Sequence, residues 1–123
     1  MKVLLIDDDA DVRSIACLTL RLVGKMEVTE AAGGAEGLRK AIDAPPDVIL
    51  LDMMMPTMDG TATLAALRAN AATAGVPVIF LTAKVVGAEV ERLKGLGAAG
   101  VLMKPFDPRT LAADVRALLG SKA

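Results

Sequence analysis

The chain has 123 residues, of which 54% are apolar and 24% are charged, and its formal net charge is −1. These values are typical of a globular chain with one domain over residues 1–123, and they exclude a disordered chain. Because basic runs are absent and Phe80 and Phe106 are the only aromatic residues, we expect no direct nucleic-acid partner. No segment has the ~20 apolar residues that cross a bilayer, and the lone Cys17 suits a reducing compartment. We therefore expect a cytoplasmic location and no membrane partner.

Short apolar runs predict the strands of a parallel sheet. Four of these runs are bounded by Gly, Pro or Asp, and their continuous apolarity is typical of strands that are buried on both faces. A fifth segment alternates polar and apolar residues, as an edge strand does. In chain order, the predicted strands are residues 3–6, 26–31, 48–51, 76–81 and 101–103.

Helical periodicity fills the intervals between these strands. We expect the apolar face of each helix to pack on the sheet. Asp59 and Asp107 are predicted N-caps of the third and fifth helices, and residues 96–100 are predicted to end the fourth. The pattern predicts one α/β domain with a doubly wound (βα)5 fold. The apolar faces comprise Ile15, Leu18 and Leu22 in the first helix, Leu38, Ala41 and Ile42 in the second, and Leu111, Val115 and Leu118 in the last.

Polar residues follow the strands at their carboxyl ends, where ligands bind in open α/β sheets. The first strand is followed by Asp7 and Asp8, the third by Asp52, the fourth by Thr82 and the fifth by Lys104. Three carboxylates that converge in this way repel one another unless a cation lies between them. We therefore expect a hard divalent cation, and Mg²⁺ in particular.

The alternative for the run of three aspartates is helix capping and compensation of the helix dipole, and Asp9 is expected to serve the first helix as its N-cap or as an acid of its first turn. The chain contains no histidine, so Ser-His-Asp catalysis, His-ligated zinc and a phosphohistidine donor are excluded. Chemistry is left to carboxylates, lysines and hydroxyls.

Four motifs resemble those of response-regulator receiver domains, which act in two-component signalling and include the chemotaxis regulators. They are "LLIDDD", "VILLDMMMPTMDG", "PVIFLTA" and "LMKPFDP", and the resemblance covers essentially the whole chain. It implies a flavodoxin-like sheet with strand order 2-1-3-4-5. It also implies a protein that accepts a phosphoryl group from a histidine kinase or a phosphotransfer protein and then changes its binding to a downstream partner.

The resemblance assigns the phosphoacceptor to Asp52 and the Mg²⁺ ligands to Asp7, Asp8, Asp52 and the backbone carbonyl of Met54. Asp8 is expected to contact the ion directly and Asp7 mainly through water. The resemblance implies a signalling domain that phosphorylates itself and has intrinsic autodephosphorylation, so we do not expect an enzyme.

Two more residues receive roles from the resemblance. Thr82 is expected to bind the phosphoryl group through its hydroxyl, and Lys104 is expected to pair with it, with a cis bond between Lys104 and Pro105. The downstream partner is expected on the surface of helix 4, strand 5 and helix 5.

Three positions depart from the pattern of the family that the chain resembles, or bear on its chemistry. Val101 stands where the family usually has Tyr or Phe, which puts the usual aromatic coupling in doubt. Met54 and Lys84 flank the expected phosphoryl site, and we expect them to make autodephosphorylation slow, on a scale of minutes or longer.

Two other functions remain open at this point. One is a Mg²⁺-dependent phosphohydrolase with an aspartyl-phosphate intermediate, although Met54 occupies the place of its second carboxylate. The other is a pseudo-receiver that binds partners without phosphorylation. The sequence does not distinguish a stand-alone regulator from a part of a longer protein.

Overall fold

A computed structural model describes residues 1–83 and 87–120 of the chain. It contains one sheet of five parallel strands in the order β2-β1-β3-β4-β5. Both the doubly wound architecture and the strand order 2-1-3-4-5 are therefore confirmed. The strands are β1 (Lys2–Ile6), β2 (Glu27–Ala31), β3 (Val48–Asp52), β4 (Val78–Thr82) and β5 (Gly100–Met103).

Helices cover both faces of the sheet and divide the core into two layers. The alternating side chains of β1 show the division, because Leu5 packs with the first and last helices of the chain whereas Ile6 packs with the second, third and fourth. Within the described residues, no helix has the length and hydropathy needed to cross a membrane. The helices are α1 (Ala10–Leu22), α2 (Gly34–Asp43), α3 (Gly60–Ala69), α4 (Gly87–Gly95) and α5 (Leu111–Leu119).

The predicted inner face of α1 is wrong. Ile15, Leu18 and Leu22 are 50%, 60% and 62% exposed, whereas Cys17 and Leu20 are buried against the sheet. Helix α1 has two apolar faces, and only one of them can face the sheet. The fold buries the face with the smaller side chains, so an apolar stripe remains on the surface. We call Ile15, Leu18 and Leu22 the α1 stripe.

The predicted caps hold for two helices and differ for the last. Asp9 accepts hydrogen bonds from the backbone N–H groups of Asp11 and Val12 in the first turn of α1, and Asp59 accepts one from that of Ala62 in α3. The carboxylate of Asp107 accepts one from the backbone N–H of Arg109, but α5 begins only at Leu111. The motif around Asp107 thus caps a turn that precedes the helix.

Cationic side chains cover the outer edge of β2. Arg21 of α1 donates a hydrogen bond to the carbonyl of Val28 at 2.7 Å, and Lys40 of α2 donates one to the carbonyl of Glu30 at 2.6 Å. Both carbonyls lie on the side of the strand away from β1. These two bonds satisfy backbone groups that an edge strand would otherwise leave open to pairing.

Candidate functional site

Asp7, Asp8 and Asp52 meet at the carboxyl edge of the sheet. Asp52 is the last residue of β3 and Asp7 follows β1, and these two strands are hydrogen-bonded neighbours. One carboxylate oxygen from each of the three residues lies within 4.8 Å of the others. Asp7 is fully buried and Asp52 is 4% exposed, whereas Asp8 faces solvent. The sheet therefore brings together the three acidic residues that the sequence singled out.

Lys104 joins the two buried carboxylates. Its Nζ lies 2.8 Å from Asp7 Oδ2 and 3.1 Å from Asp52 Oδ1. The residue follows β5, and its backbone N–H donates to the carbonyl of Thr82 at the end of β4. The peptide bond between Lys104 and Pro105 is cis, in agreement with the sequence expectation. The ammonium group thus reaches across one strand to the end of β3.

Backbone N–H groups complete the contacts of the buried carboxylates. Asp7 Oδ1 accepts a hydrogen bond from the N–H of Asp9 at 2.9 Å, and Asp52 Oδ1 accepts one from that of Met54 at 3.3 Å. In both cases the donor lies two residues after the acceptor, so the turn that follows each strand folds back onto the aspartate at its start. Met54 itself is 78% exposed, whereas Asp52 is 4% exposed.

The electrostatics of the site make Asp52 difficult to ionise. Burial raises the pKa of Asp52 to about 6, and the neighbouring charge of Asp7 adds to the rise, although the hydrogen bond from Lys104 opposes it. Burial alone would lower the pKa of Lys104, but its bonds to Asp7 and Asp52 outweigh burial and raise it. One ammonium is shared by two buried carboxylates, with a third carboxylate beside them.

The donor set fits Mg²⁺. Mg²⁺ takes oxygen ligands, requires only one or two protein carboxylates, and keeps several of its waters. Asp7, Asp8 and Asp52 provide carboxylate oxygens, and exposed Asp8 leaves one side of the group open to water. Among the described residues, three carboxylates stand against the one ammonium of Lys104, and this excess of negative charge also favours a cation at this position.

The remaining predicted residues differ in how the structure treats them. Thr82 ends β4 and is partly exposed, beside Met103 of β5. Val101 is partly exposed and packs against the core layer beneath α2, α3 and α4. Lys84, to which we assigned a role in hydrolysis, lies outside the described residues.

Sequence reasoning missed one residue that touches the site. Arg13 of α1 donates a hydrogen bond from Nη1 to the main-chain carbonyl of Asp7 at 2.7 Å. The acceptor is a backbone atom, so the contact cannot be predicted from oppositely charged residues in the sequence. The only available signal is an arginine one turn into a helix that follows an acidic turn.

A comparison with protein families identifies the family of this chain. The profile described as "Response regulator receiver domain" matches residues 3–116. The chain belongs to this family. Such receivers are domains of two-component systems, and the predicted resemblance is confirmed.

Solved receiver structures have the same fold. The chemotaxis protein CheY4 of Vibrio cholerae matches with a TM-score of 0.88 and 37% identity, over 95% of this chain and 97% of that one. A response regulator from Chloroflexus aurantiacus matches with a TM-score of 0.85 and 32% identity, over 96% of both chains.

Curated relatives of similar sequence are longer. The regulator RpaA of Synechocystis is 38% identical over 96% of this chain and 48% of its own length, and PrrA of Mycobacterium leprae is 44% identical over 96% and 49%. PhoB of Pseudomonas aeruginosa is 36% identical over 95% and 51%. The chain thus spans about half the length of these relatives.

The names of these relatives overturn one prediction. RpaA is described as a DNA-binding transcriptional regulator, and PrrA and PhoB as transcriptional regulatory proteins. The expectation of no nucleic-acid partner is therefore wrong. It was drawn from the absence of basic runs and aromatic residues in these 123 residues, and composition reports only on the stretch of chain that it covers.

Proposed function

We propose that the chain is a receiver that accepts a phosphoryl group on Asp52 from a histidine kinase or a phosphotransfer protein. One observation carries the proposal: a buried carboxylate at the end of β3 lies 3.1 Å from the ammonium of Lys104 and beside two further carboxylates. The family match supports the same assignment. We extend the receiver domain to the whole of residues 1–123.

The chemistry is an in-line phosphoryl transfer. A carboxylate oxygen of Asp52 forms a bond to phosphorus while the phosphorus–nitrogen bond of a phosphohistidine breaks, and the leaving nitrogen keeps the electron pair. Lys104 stabilises negative charge on the transferred oxygens, and the hydroxyl of Thr82 binds one of them. The product is an acyl phosphate on Asp52.

Asp7, Asp8, Asp52 and the carbonyl of Met54 are the groups that would hold Mg²⁺. A bound Mg²⁺ supplies positive charge that offsets the repulsion between a carboxylate and an incoming phosphoryl group. We assign the more direct contact to Asp8 because it faces solvent, whereas Asp7 is already held by Lys104 and the N–H of Asp9.

The surface beside the site supports a protein as the phosphodonor. The α1 stripe is continuous with an apolar groove of about 320 Å³, which is lined by Ile15, Pro105, Phe106 and Lys104 among others. Lys104 also contacts Asp52, so the surface of a donor protein that covered the groove would lie next to the phosphoacceptor. Leu18→Ser is expected to slow transfer from a protein donor and to leave phosphorylation by a small donor unchanged.

Met54 bears on the lifetime of the acyl phosphate. Its thioether side chain is exposed two residues after Asp52, and a thioether is too weak an acceptor to orient an attacking water. We therefore propose slow autodephosphorylation, on a scale of minutes or longer. Phosphate release within seconds by the unmodified protein would contradict this.

The relatives support a proposal for the output of the receiver. We propose that phosphorylation alters a surface formed by α4, β5 and α5, where Met103 of β5 is 56% exposed and Leu96, the residue after α4, is 48% exposed. By analogy with the relatives of twice its length, the downstream event is regulation of a DNA-binding function in the cytoplasm.

Intact-mass spectrometry tests the proposal. The protein is incubated with Mg²⁺ and acetyl phosphate, and one phosphoryl adduct is expected for the wild type. The adduct should be absent in Asp52→Asn and after addition of a chelator, and present in Asp43→Asn, which removes an exposed carboxylate of α2. An adduct that survives in Asp52→Asn, or no adduct in the wild type, would contradict the assignment.

A further inference from the structure

Arg13 connects the acidic turn after β1 to the edge strand. Its Nη1 donates to the carbonyl of Asp7 at 2.7 Å, and its Nε lies 3.4 Å from Glu30 Oε1 on β2. The side chain is only 18% exposed. The guanidinium therefore lies at the base of the turn, with an acidic partner that offsets its charge.

The bond acts on Asp8 through the peptide that precedes it. The carbonyl of Asp7 and the N–H of Asp8 belong to one planar group, so fixing the carbonyl oxygen fixes the direction in which the chain enters Asp8. The N–H of Asp7 is held by the carbonyl of Ala31 at 3.1 Å, and its carboxylate by Asp9 and Lys104. Arg13 supplies the contact that fixes the peptide on the other side of Asp7.

We propose that Arg13 is a positioning residue for the cation site. By holding the Asp7 carbonyl, it sets the carboxylate of Asp8 at the distance from Asp7 and Asp52 at which the three bind one ion. The inference rests on the proposed function, because it concerns the same acidic group. Residues that orient metal ligands typically change metal affinity by 10–100-fold when they are lost.

The sign of the effect separates positioning from electrostatics. Arg13 is a cation, so if it acted only through its charge, its removal would strengthen the binding of Mg²⁺. If it acts by position, its removal weakens binding. Arg13→Lys keeps the charge and loses the planar fork that bonds the carbonyl and Glu30 together, so it is expected to restore affinity only in part.

Isothermal titration with Mg²⁺ alone measures the effect on the intact protein. We expect Arg13→Met to weaken Mg²⁺ binding about tenfold. Arg21→Met is the matched control, because Arg21 lies on the same helix and also donates to a backbone carbonyl, that of Val28 at 2.7 Å, away from the site. Urea unfolding of both variants checks that each remains folded during the titration.

Each outcome decides the inference. The inference is supported if Arg13→Met binds Mg²⁺ more weakly, Arg13→Lys recovers part of the affinity, and Arg21→Met keeps the affinity of the wild type. Unchanged or tighter binding in Arg13→Met overturns it, and so do equal losses in Arg13→Met and Arg21→Met, which would indicate a general effect of stability. A wild type that binds no Mg²⁺ overturns the proposed cation site as well, and that failure is visible before any variant is compared.

Discussion

Asp52→Asn is expected to stabilise the protein in the absence of divalent cations. Burial raises the pKa of Asp52 from 3.8 to about 6. Ionisation of this residue at neutral pH therefore destabilises the folded state relative to the unfolded state. A shift of about two pKa units corresponds to an upper limit of about 3 kcal/mol at neutral pH. Because Asn must still accept the contact from Lys104, we expect a gain of about 2 kcal/mol in the free energy of unfolding.

The gain should depend on pH in a defined direction. The folded-state pKa of Asp52 lies above the unfolded one, so the folded protein binds more protons between about pH 4 and pH 6. The stability of the wild type relative to Asp52→Asn therefore falls as the pH rises through this window. The difference between the two proteins should be near zero below about pH 4 and complete above about pH 7.

Urea unfolding in a chelating buffer at a series of pH values measures the difference. A gain of about 2 kcal/mol shifts the midpoint by roughly 1 M urea. Glu91→Gln removes a carboxylate from the exposed surface of α4 and is expected to change stability by less than about 0.5 kcal/mol. Saturating Mg²⁺ should stabilise the wild type by about 3 kcal/mol at 100 times its dissociation constant and so remove the advantage of Asp52→Asn. An Asp52→Asn protein less stable than the wild type at pH 7 would refute burial as the dominant effect.

Two further predictions concern the core beneath the site. A Cβ at Gly60 would lie 2.6 Å from the carbonyl oxygen of Asp52 and 2.9 Å from the Cα of Met53, so Gly60→Ala should lower the free energy of unfolding, measured in urea, by about 2 kcal/mol. The control Gly75→Ala places its Cβ in open space and should be as stable as the wild type. Equal stability of the two variants would contradict this. Burial raises the pKa of Cys17 to about 11, so iodoacetamide at pH 8 should alkylate the native thiol at least about 100-fold more slowly than the unfolded one; comparable rates by mass spectrometry would show the thiol to be accessible.

The sequence predicts the sheet well because its signals are local. Continuous apolar runs mark strands that are buried on both faces, and the polar alternation of residues 26–31 marks the edge strand β2. The strand at 76–81 begins later than predicted, at Val78, because Pro77 precedes it and has no N–H for a neighbouring strand. The order of the strands came from the resemblance to a family and not from the residues themselves.

Side-chain environments were less predictable than backbone structure. The α1 stripe has the spacing of a core-facing surface, but the residues Ala16, Cys17 and Leu20 also share a face, and spacing alone does not decide which face the sheet covers. The contact of Arg13 with the site was not predicted for a related reason. Its bond is to a backbone carbonyl, and a contact of that kind depends on the path of a turn that only the folded chain reveals.

That the site residues lie close together was predictable, because parallel strands end at one edge of their sheet. The contacts that each carboxylate makes were not predictable from the sequence. Both carboxylate oxygens of Asp7 are engaged, one by the N–H of Asp9 and the other by Lys104. The contacts to Asp52 from Lys104 and Met54 both fall on Oδ1. The two buried aspartates on neighbouring strands therefore differ in their contacts, and this difference supports the proposal that Asp52 rather than Asp7 accepts the phosphoryl group.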